Sequence, residues 1–355
     1  MKNQILKGCV KLLQRFIPSH KEAKRILVVA TTALGDTLWA TPALENIRAS
    51  FPNAYLAVLT SPIGMEILKH NPWINQLHLL KEPLFFSFFS LWKTLYKERF
   101  DTILVFHASQ RLALPLCSLL GATRIIGTSG INKGLDSLLT DPLPNVYQHE
   151  IVRRLKVAER IGAPPASQTL SFFLQPDERI QEVQLSSKPW IAIHPGSKDG
   201  FKRWPAQNFA ELGRRLKEEI PSCEILITGN PSEKKLMEET ASQIPGAHLY
   251  ETKRSLRSFA ALLEKMDLLI SNDTGPVHLA CALKTPVVAL YSSTDPSLCD
   301  WKIYFRSLND QSVEGIIHKK LPLFAVQFHP ESHPGPTDAF YLFEKFYESL
   351  NSKKT

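Results

Sequence analysis

No apolar run in this 355-residue chain reaches the length of a transmembrane helix. The opening residues also lack the compact apolar core and small-residue cleavage site of a secretory signal. Cysteine is scarce: five residues, an odd number without paired spacing, which fits reduced thiols and a cytoplasmic location. Neither CxxC nor HExxH occurs, so no zinc site is expected. A net basic excess is absent from most of the chain. The net charge is +8, yet residues 1–25 carry seven bases (Lys2, Lys7, Lys11, Arg15, Lys21, Lys24, Arg25) against Glu22 alone. The remainder is close to neutral, which argues against a nucleic-acid-binding surface.

Apolar content is 44%, enough for a packed core in each of two medium domains. Residues 1–24 form a basic amphipathic segment. Ile5, Leu6, Val10, Leu13, Phe16 and Ile17 share one helical face, and Lys7, Lys11 and Arg15 step by four along another. Its readings are a helix on an anionic membrane surface, or else a helix packed on its own domain or a frayed end.

From residue 25 the chain alternates. "RILVVA", "AYLAVLTSP", "INQLHLL" and "DTILVFHAS" read as strands. "TLWATPALENIRASF", "GMEILKHN", "FFSFFSLWKTLYKERF" and "HEIVRRLKVAERIGAP" read as helices. After a connection at 171–188 a second series begins with the strands "PWIAIHPGS", "CEILITGN", "DLLISND" and "TPVVALYSSTDP". Its intervening helices include "AQNFAELGRRLKEEI" and "GPVHLACAL". The fold class expected is α/β, with two Rossmann-like domains, 25–175 and 185–302, facing a cleft.

Three turns after strands could carry chemistry. In "DLLISNDTGPVHLACAL", Asp273, Thr274 and Gly275 precede a helix with Pro276 at its start and His278 one turn in. Free N–H groups there would suit an anion, although an ordinary capped turn has the same residues. In "HPGSKDGFKRWP", Lys202 and Arg203 could neutralise a diphosphate and Ser197 could donate to it, or the loop is simply solvated. In "TTALGDTLWATPAL", Asp36 stands at the top of the first strand, as a general base or as a helix N-cap.

Together these resemble a known family. Gly35-Asp36 with Thr41-Pro42, Lys202 with Trp204-Pro205, and "NDTGPVHLACALKTPVVALYSSTDP" from Asn272 to Pro296 look like glycosyltransferase family 9. These are the ADP-heptose:lipopolysaccharide heptosyltransferases, and the resemblance covers about residues 25–300. It implies a GT-B fold, inversion at the anomeric carbon, and no required metal or cofactor beyond the nucleotide-sugar donor. It implies Asp36 as the base on the acceptor hydroxyl and Lys202 as a donor-phosphate contact. Asp273, Thr274, Gly275 and His278 would form the sugar-diphosphate cradle. Gly229 and Glu233, in "TGNPSEKK", would approach the adenosine ribose. The implied partners are the donor and a lipopolysaccharide core acceptor, at the cytoplasmic face of the inner membrane of a Gram-negative-type bacterium.

The tail, 303–355, departs from that family. "SLNDQSVEG" and "VQFHPESHPGP" resemble the end of the carbamoyl-phosphate synthase small chain, a class I glutamine amidotransferase. That resemblance implies His329 and Glu331 as two members of a Cys-His-Glu triad. None of Cys9, Cys117, Cys223, Cys281 and Cys299 has the flanking glycines of a nucleophile elbow, so the pair is expected to be vestigial. Two reading frames joined near 300–306, by a gene fusion, a frameshift or an assembly artefact, are expected. "SVEGIIH" and "PLFAVQF" are then strand-like runs without their native partners, exposed as edges. "TDAFYLFEKFYESL" would replace the terminal helix of the family. The alternatives to heptosyl transfer are a GT-B transferase with another donor and an inactive fusion.

Overall fold

The computed structural model describes residues 2–14, 25–81, 83–146, 148–179, 189–251, 255–291, 301–306, 313–318 and 323–326. The vestigial pair His329 and Glu331 and the run "TDAFYLFEKFYESL" lie outside them. The chain divides into two compact units, Met1–Phe173 and Leu174–Thr355.

The first unit is built on a six-stranded, all-parallel sheet. Its strands are β1 (Arg25–Ala30), β2 (Tyr55–Thr60), β3 (Gln76–Leu79), β4 (Thr102–His107), β5 (Arg124–Thr128) and β6 (Asp141–Leu143). The order is β3-β2-β1-β4-β5-β6, the dinucleotide-fold order whose switch point falls between β1 and β4. β1, β2 and β4 are buried along nearly their whole length, which is why they read as continuous apolar runs rather than alternating ones. The helices are α1 (Lys2–Gln14), α2 (Leu34–Leu38), α3 (Thr41–Ser50), α4 (Pro62–Leu68), α5 (Leu84–Lys97), α6 (Ala113–Ser118) and α7 (Glu150–Glu159).

The expected single helix after β1 is two helices. α2 ends at Leu38, and Pro42, which has no N–H to donate, stands in the first turn of α3. α1 packs on its own unit: Val10 is 3% exposed in the core and Leu6 lies against it.

The second unit repeats the plan. Its strands are β7 (Trp190–His194), β8 (Glu224–Gly229), β9 (His248–Glu251), β10 (Leu268–Asn272), β11 (Val287–Leu290), β12 (Trp301–Arg306), β13 (Val313–His318) and β14 (Leu323–Val326). Its helices are α8 (Ala206–Glu219), α9 (Lys234–Ala241), α10 (Leu256–Leu263) and α11 (Gly275–Leu283). The sheet order is β12-β13-β14-β11-β10-β7-β8-β9. The run β9-β8-β7-β10-β11-β14 is parallel throughout, so the tail strand β14 takes the sixth place of the dinucleotide-fold order.

This overturns the expectation that the tail's strands lack partners. β14 pairs in parallel with β11, from Val287↔Leu323 to Leu290↔Val326. β13 pairs antiparallel with β14, and β12 with β13. The backbone groups of "VEGIIH" and "LFAV" are committed to a ladder because a parallel sheet ending at β11 offers a matching row of donors and acceptors.

Candidate functional site

Each sheet has polar residues at its switch point, where the carboxyl ends of neighbouring strands diverge. In the first unit the end of β1 is clasped to the end of β4. Thr31 N donates to His107 O at 3.2 Å, and Ser109 N donates to the Thr31 hydroxyl at 2.9 Å. Asp36 follows β1, in the first turn of α2. It is not the N-cap: Ala33 holds that place, without a side-chain hydrogen bond. The capping alternative is therefore excluded by the geometry.

The Asp36 carboxylate belongs instead to an ion-pair relay with α7. Arg154 Nη2 donates to Asp36 Oδ1 at 3.0 Å, and Arg154 Nη1 donates to Glu150 O and Oε2, both at 2.9 Å. Arg153 pairs with the other Glu150 oxygen at 2.8 Å. The Arg154 side chain is 1% exposed and that of Asp36 27%. Burial pulls the Arg154 guanidinium down from its ordinary pKa, while Glu150 and Asp36 push it up. An arginine stays protonated through such a shift. Trp39, on the turn after α2, faces the guanidinium at 5.8 Å and packs edge-on against His149 at 5.5 Å. Among the described residues Asp36 Oδ2 takes no hydrogen bond or ion pair. One oxygen is fixed and the other is available to a hydroxyl.

His107, at the end of β4, adds to this site. Burial holds its imidazole below the usual histidine range, against the pull of Asp36. Its Nδ1 is buried with no hydrogen-bond partner among the described residues.

In the second unit Asn272, at the end of β10, ties the loop after β7 in place. Its Oδ1 accepts from Trp204 N at 2.9 Å and its Nδ2 donates to Pro195 O at 2.8 Å. Lys202 Nζ pairs with Asp273 Oδ2 at 2.9 Å, with side-chain exposures of 21% and 11%. The structure thus brings Lys202 and Asp273 into contact. Arg203 braces its own loop, its Nε donating to Ser197 O at 2.8 Å. Ser197 is buried. Thr274 is the N-cap residue of α11 without a side-chain cap bond, Gly275 opens the helix, and His278 stands one turn in, half-buried.

Gly229 and Glu233 sit beside the same loop. The buried Glu233 closes a capping box with Asn230, accepting from its N–H at 3.0 Å. Its carboxylate also lies over Gly196, where a Cβ would come within 2.2 Å of Oε1 and would displace the carboxylate. His194 is buried against Thr228, Nδ1 to Oγ1 3.1 Å, and burial pulls its pKa down to about 4 despite Glu233. It is neutral at physiological pH. No group of three or more His, Cys, Asp or Glu side chains that could hold a metal occurs among the described residues.

Several residues of these sites have no role among the sequence motifs, Arg154, His107 and Asn272 among them. Arg154 had a signal. It falls on the apolar side of α7, three residues after Ile151 and four before Ala158, with Glu150 four residues earlier. An arginine placed to be buried needs a carboxylate.

Two sheets, each with a six-stranded parallel run of dinucleotide-fold order and charged residues at its switch point, are the architecture of the GT-B fold. The chain belongs to glycosyltransferase family 9: the family model described as glycosyltransferase family 9 (heptosyltransferase) matches residues 88–313. Over 294 residues it is 24% identical to the lipopolysaccharide core heptosyltransferase OpsX of Haemophilus influenzae, covering 79% of this chain and 82% of that one. The solved ADP-heptose lps heptosyltransferase II of E. coli has the same fold. Its TM-score is 0.65 at 22% identity, covering 78% of this chain and 87% of the other. The class-I glutamine amidotransferase model matches residues 289–349. There the chain is 52% identical over 66 residues to the carbamoyl phosphate synthase arginine-specific small chain of Neosartorya fischeri, 19% of this chain and 14% of that protein. The two family matches overlap at 289–313, from within β11, past β12, to the first residue of β13.

Proposed function

We propose that this heptosyltransferase-family enzyme moves heptose, with inversion, from ADP-heptose to a lipopolysaccharide core acceptor, and that Asp36 is its general base. The observation that carries this is the Asp36 carboxylate at the switch point, with Oδ1 held by a buried arginine. The names of the similar proteins support the donor and the acceptor.

In the reaction Asp36 Oδ2 takes the proton of the acceptor hydroxyl. The hydroxyl oxygen forms a bond to the anomeric carbon from the face opposite the phosphate. The bond from that carbon to the diphosphate oxygen breaks, and its electron pair leaves with ADP. Negative charge grows on the diphosphate as the bond stretches, so fixed positive groups accelerate the step. Lys202 would supply one such group by moving from Asp273 to the phosphate, and the start of α11 would add its N–H groups; the Lys202–Asp273 pair supports this reading. Ser197, Thr274, Gly275 and His278 would complete the cradle, with Gly229 and Glu233 on the nucleoside side. Glu233 would act there through its loop, because its carboxylate already caps Asn230. The acceptor lipid places the enzyme at the cytoplasmic face of the inner membrane as a peripheral protein.

The pairing of β14 with β11 favours a working second domain over an inactive fusion, since the sheet that carries Asp273 is extended rather than interrupted. The test is ADP release by the full chain from ADP-heptose with heptose-deficient lipopolysaccharide. Release that requires the acceptor is expected. Donor binding without release would overturn the transferase reading, and faster release from a nucleotide-linked hexosamine would overturn the donor.

A further inference from the structure

Helix α5 is built with two apolar sides where its place in the fold needs one. Its inward side is complete: Leu84 and Leu95 are fully buried, and Phe88, Leu91, Trp92 and Tyr96 pack against the same core. Its outward side should be polar. Instead Phe85, Phe86 and Phe89 are 72%, 84% and 79% exposed. Phenylalanines with that much surface in water form a patch that calls for a partner.

α1 presents a matching surface on the same support. Leu84 N, at the start of α5, donates to Gln110 Oε1 at 2.7 Å, and Trp92 Nε1 donates to Leu119 O at 2.8 Å. Asn3, at the start of α1, bonds with Arg111, and Gln14 Nε2 donates to Ser118 O at 2.9 Å. The two helices therefore run in the same sense along the 110–119 segment, attached at neighbouring residues at both ends. While Leu6 and Val10 face the core, Ile5, Leu12 and Leu13 are 50–62% exposed.

Charge identifies the partner. The sequences of α1 and α5 contain Lys2, Lys7, Lys11, Lys93 and Lys97 and no acidic residue. Exposed lysines among exposed phenylalanines and leucines suit one surface, a bilayer whose headgroups are anionic and whose acyl region starts just beneath. We propose that the outward faces of α5 and α1 dock this enzyme on an anionic phospholipid bilayer, with Phe85, Phe86 and Phe89 inserted at the headgroup–acyl boundary. This deepens the proposed acceptor reading by naming the surface that meets the membrane, and its test does not need turnover.

The full chain is sedimented with vesicles of phosphatidylglycerol and phosphatidylethanolamine, and with vesicles of phosphatidylcholine alone. Binding to the anionic vesicles, weakened by salt, is expected. The triple variant Phe85→Ser, Phe86→Ser, Phe89→Ser loses at least about tenfold of that binding. All three side chains are exposed, so the fold is kept. The double variant Lys11→Glu, Lys93→Glu weakens binding to anionic vesicles. Both variants turn over a deacylated, soluble acceptor at the wild-type rate. No binding by the wild-type chain, or equal binding by the triple variant, overturns the proposal. So does a wild-type dimer in sedimentation velocity that the triple variant abolishes, because the patch would then join two copies. Failure of ADP release would leave the vesicle result untouched.

Discussion

Both units place a carboxylate beside the switch point of the same strand order, Asp36 after the first strand of its sheet and Asp273 after the fourth, but they hold it differently. Asp36 is bound by an arginine that solvent does not reach, itself locked to Glu150 and faced by Trp39. Asp273 is paired with the ammonium of Lys202, which sits on a flexible stem and whose side chain is 21% exposed. A planar guanidinium forked between two carboxylates has little freedom to exchange partners, while an ammonium can turn from a carboxylate to a phosphate. Under the proposed mechanism the first arrangement suits a base that stays where it is, and the second suits a cation that turns to a diphosphate when the donor arrives.

That contrast can be broken at either end. Asp36→Ala is expected to lower turnover by about 10³-fold while leaving donor affinity near wild type, read by ADP release and by calorimetry with the donor. Transfer at the wild-type rate would remove Asp36 from the mechanism. Lys202→Ala is expected to cost about 10²-fold in turnover and also to weaken donor binding, because the same contact serves the ground state and the departing diphosphate. Arg154→Gln should have the smallest kinetic effect, about tenfold, since Asp36 keeps its place on α2 but loses the fixed direction of Oδ1. Its mark is on stability instead: leaving Glu150 and Asp36 without their buried partner costs roughly 3 kcal/mol, seen in urea unfolding. Arg154→Lys should recover less than half of either loss, because an ammonium cannot reach both carboxylates with the same fork.

The strands that carry the sites were legible because burial on both faces leaves a continuous apolar run. "RILVVA" and "DLLISN" are such runs, and β1 and β10 lie where they predict. The elements between 110 and 148 were not. α6 has Pro115 within it, β5 is "RIIGT" and β6 is "DPL", too short for either periodicity to show. β9, "HLYE", is short for the same reason. Asp36, Lys202 and Asp273 stood out by their place after strands, but the partner of Asp36 lies 118 residues away on α7. Local pattern marks Arg154 as an oddity on an apolar face and cannot say which carboxylate it meets. The tail shows the same limit in the other direction. "VEGIIH" and "LFAV" read as strands, yet a strand's composition does not name its neighbour, and the neighbour was the family-9 sheet itself.

The position of β14 also sets an order of events during synthesis. The first unit has its last sheet strand by Leu143 and can fold while the ribosome is still making the second. The second unit cannot close in this way, because β11 waits for Leu323–Val326 at the far end of the chain. Until then its apolar edge stands open to other nascent chains. β12, β13 and β14 are joined by local antiparallel pairing, which forms faster than a distant parallel contact. β12, β13 and β14 thus form a small antiparallel unit made after β11, and its docking closes the edge that β11 leaves open.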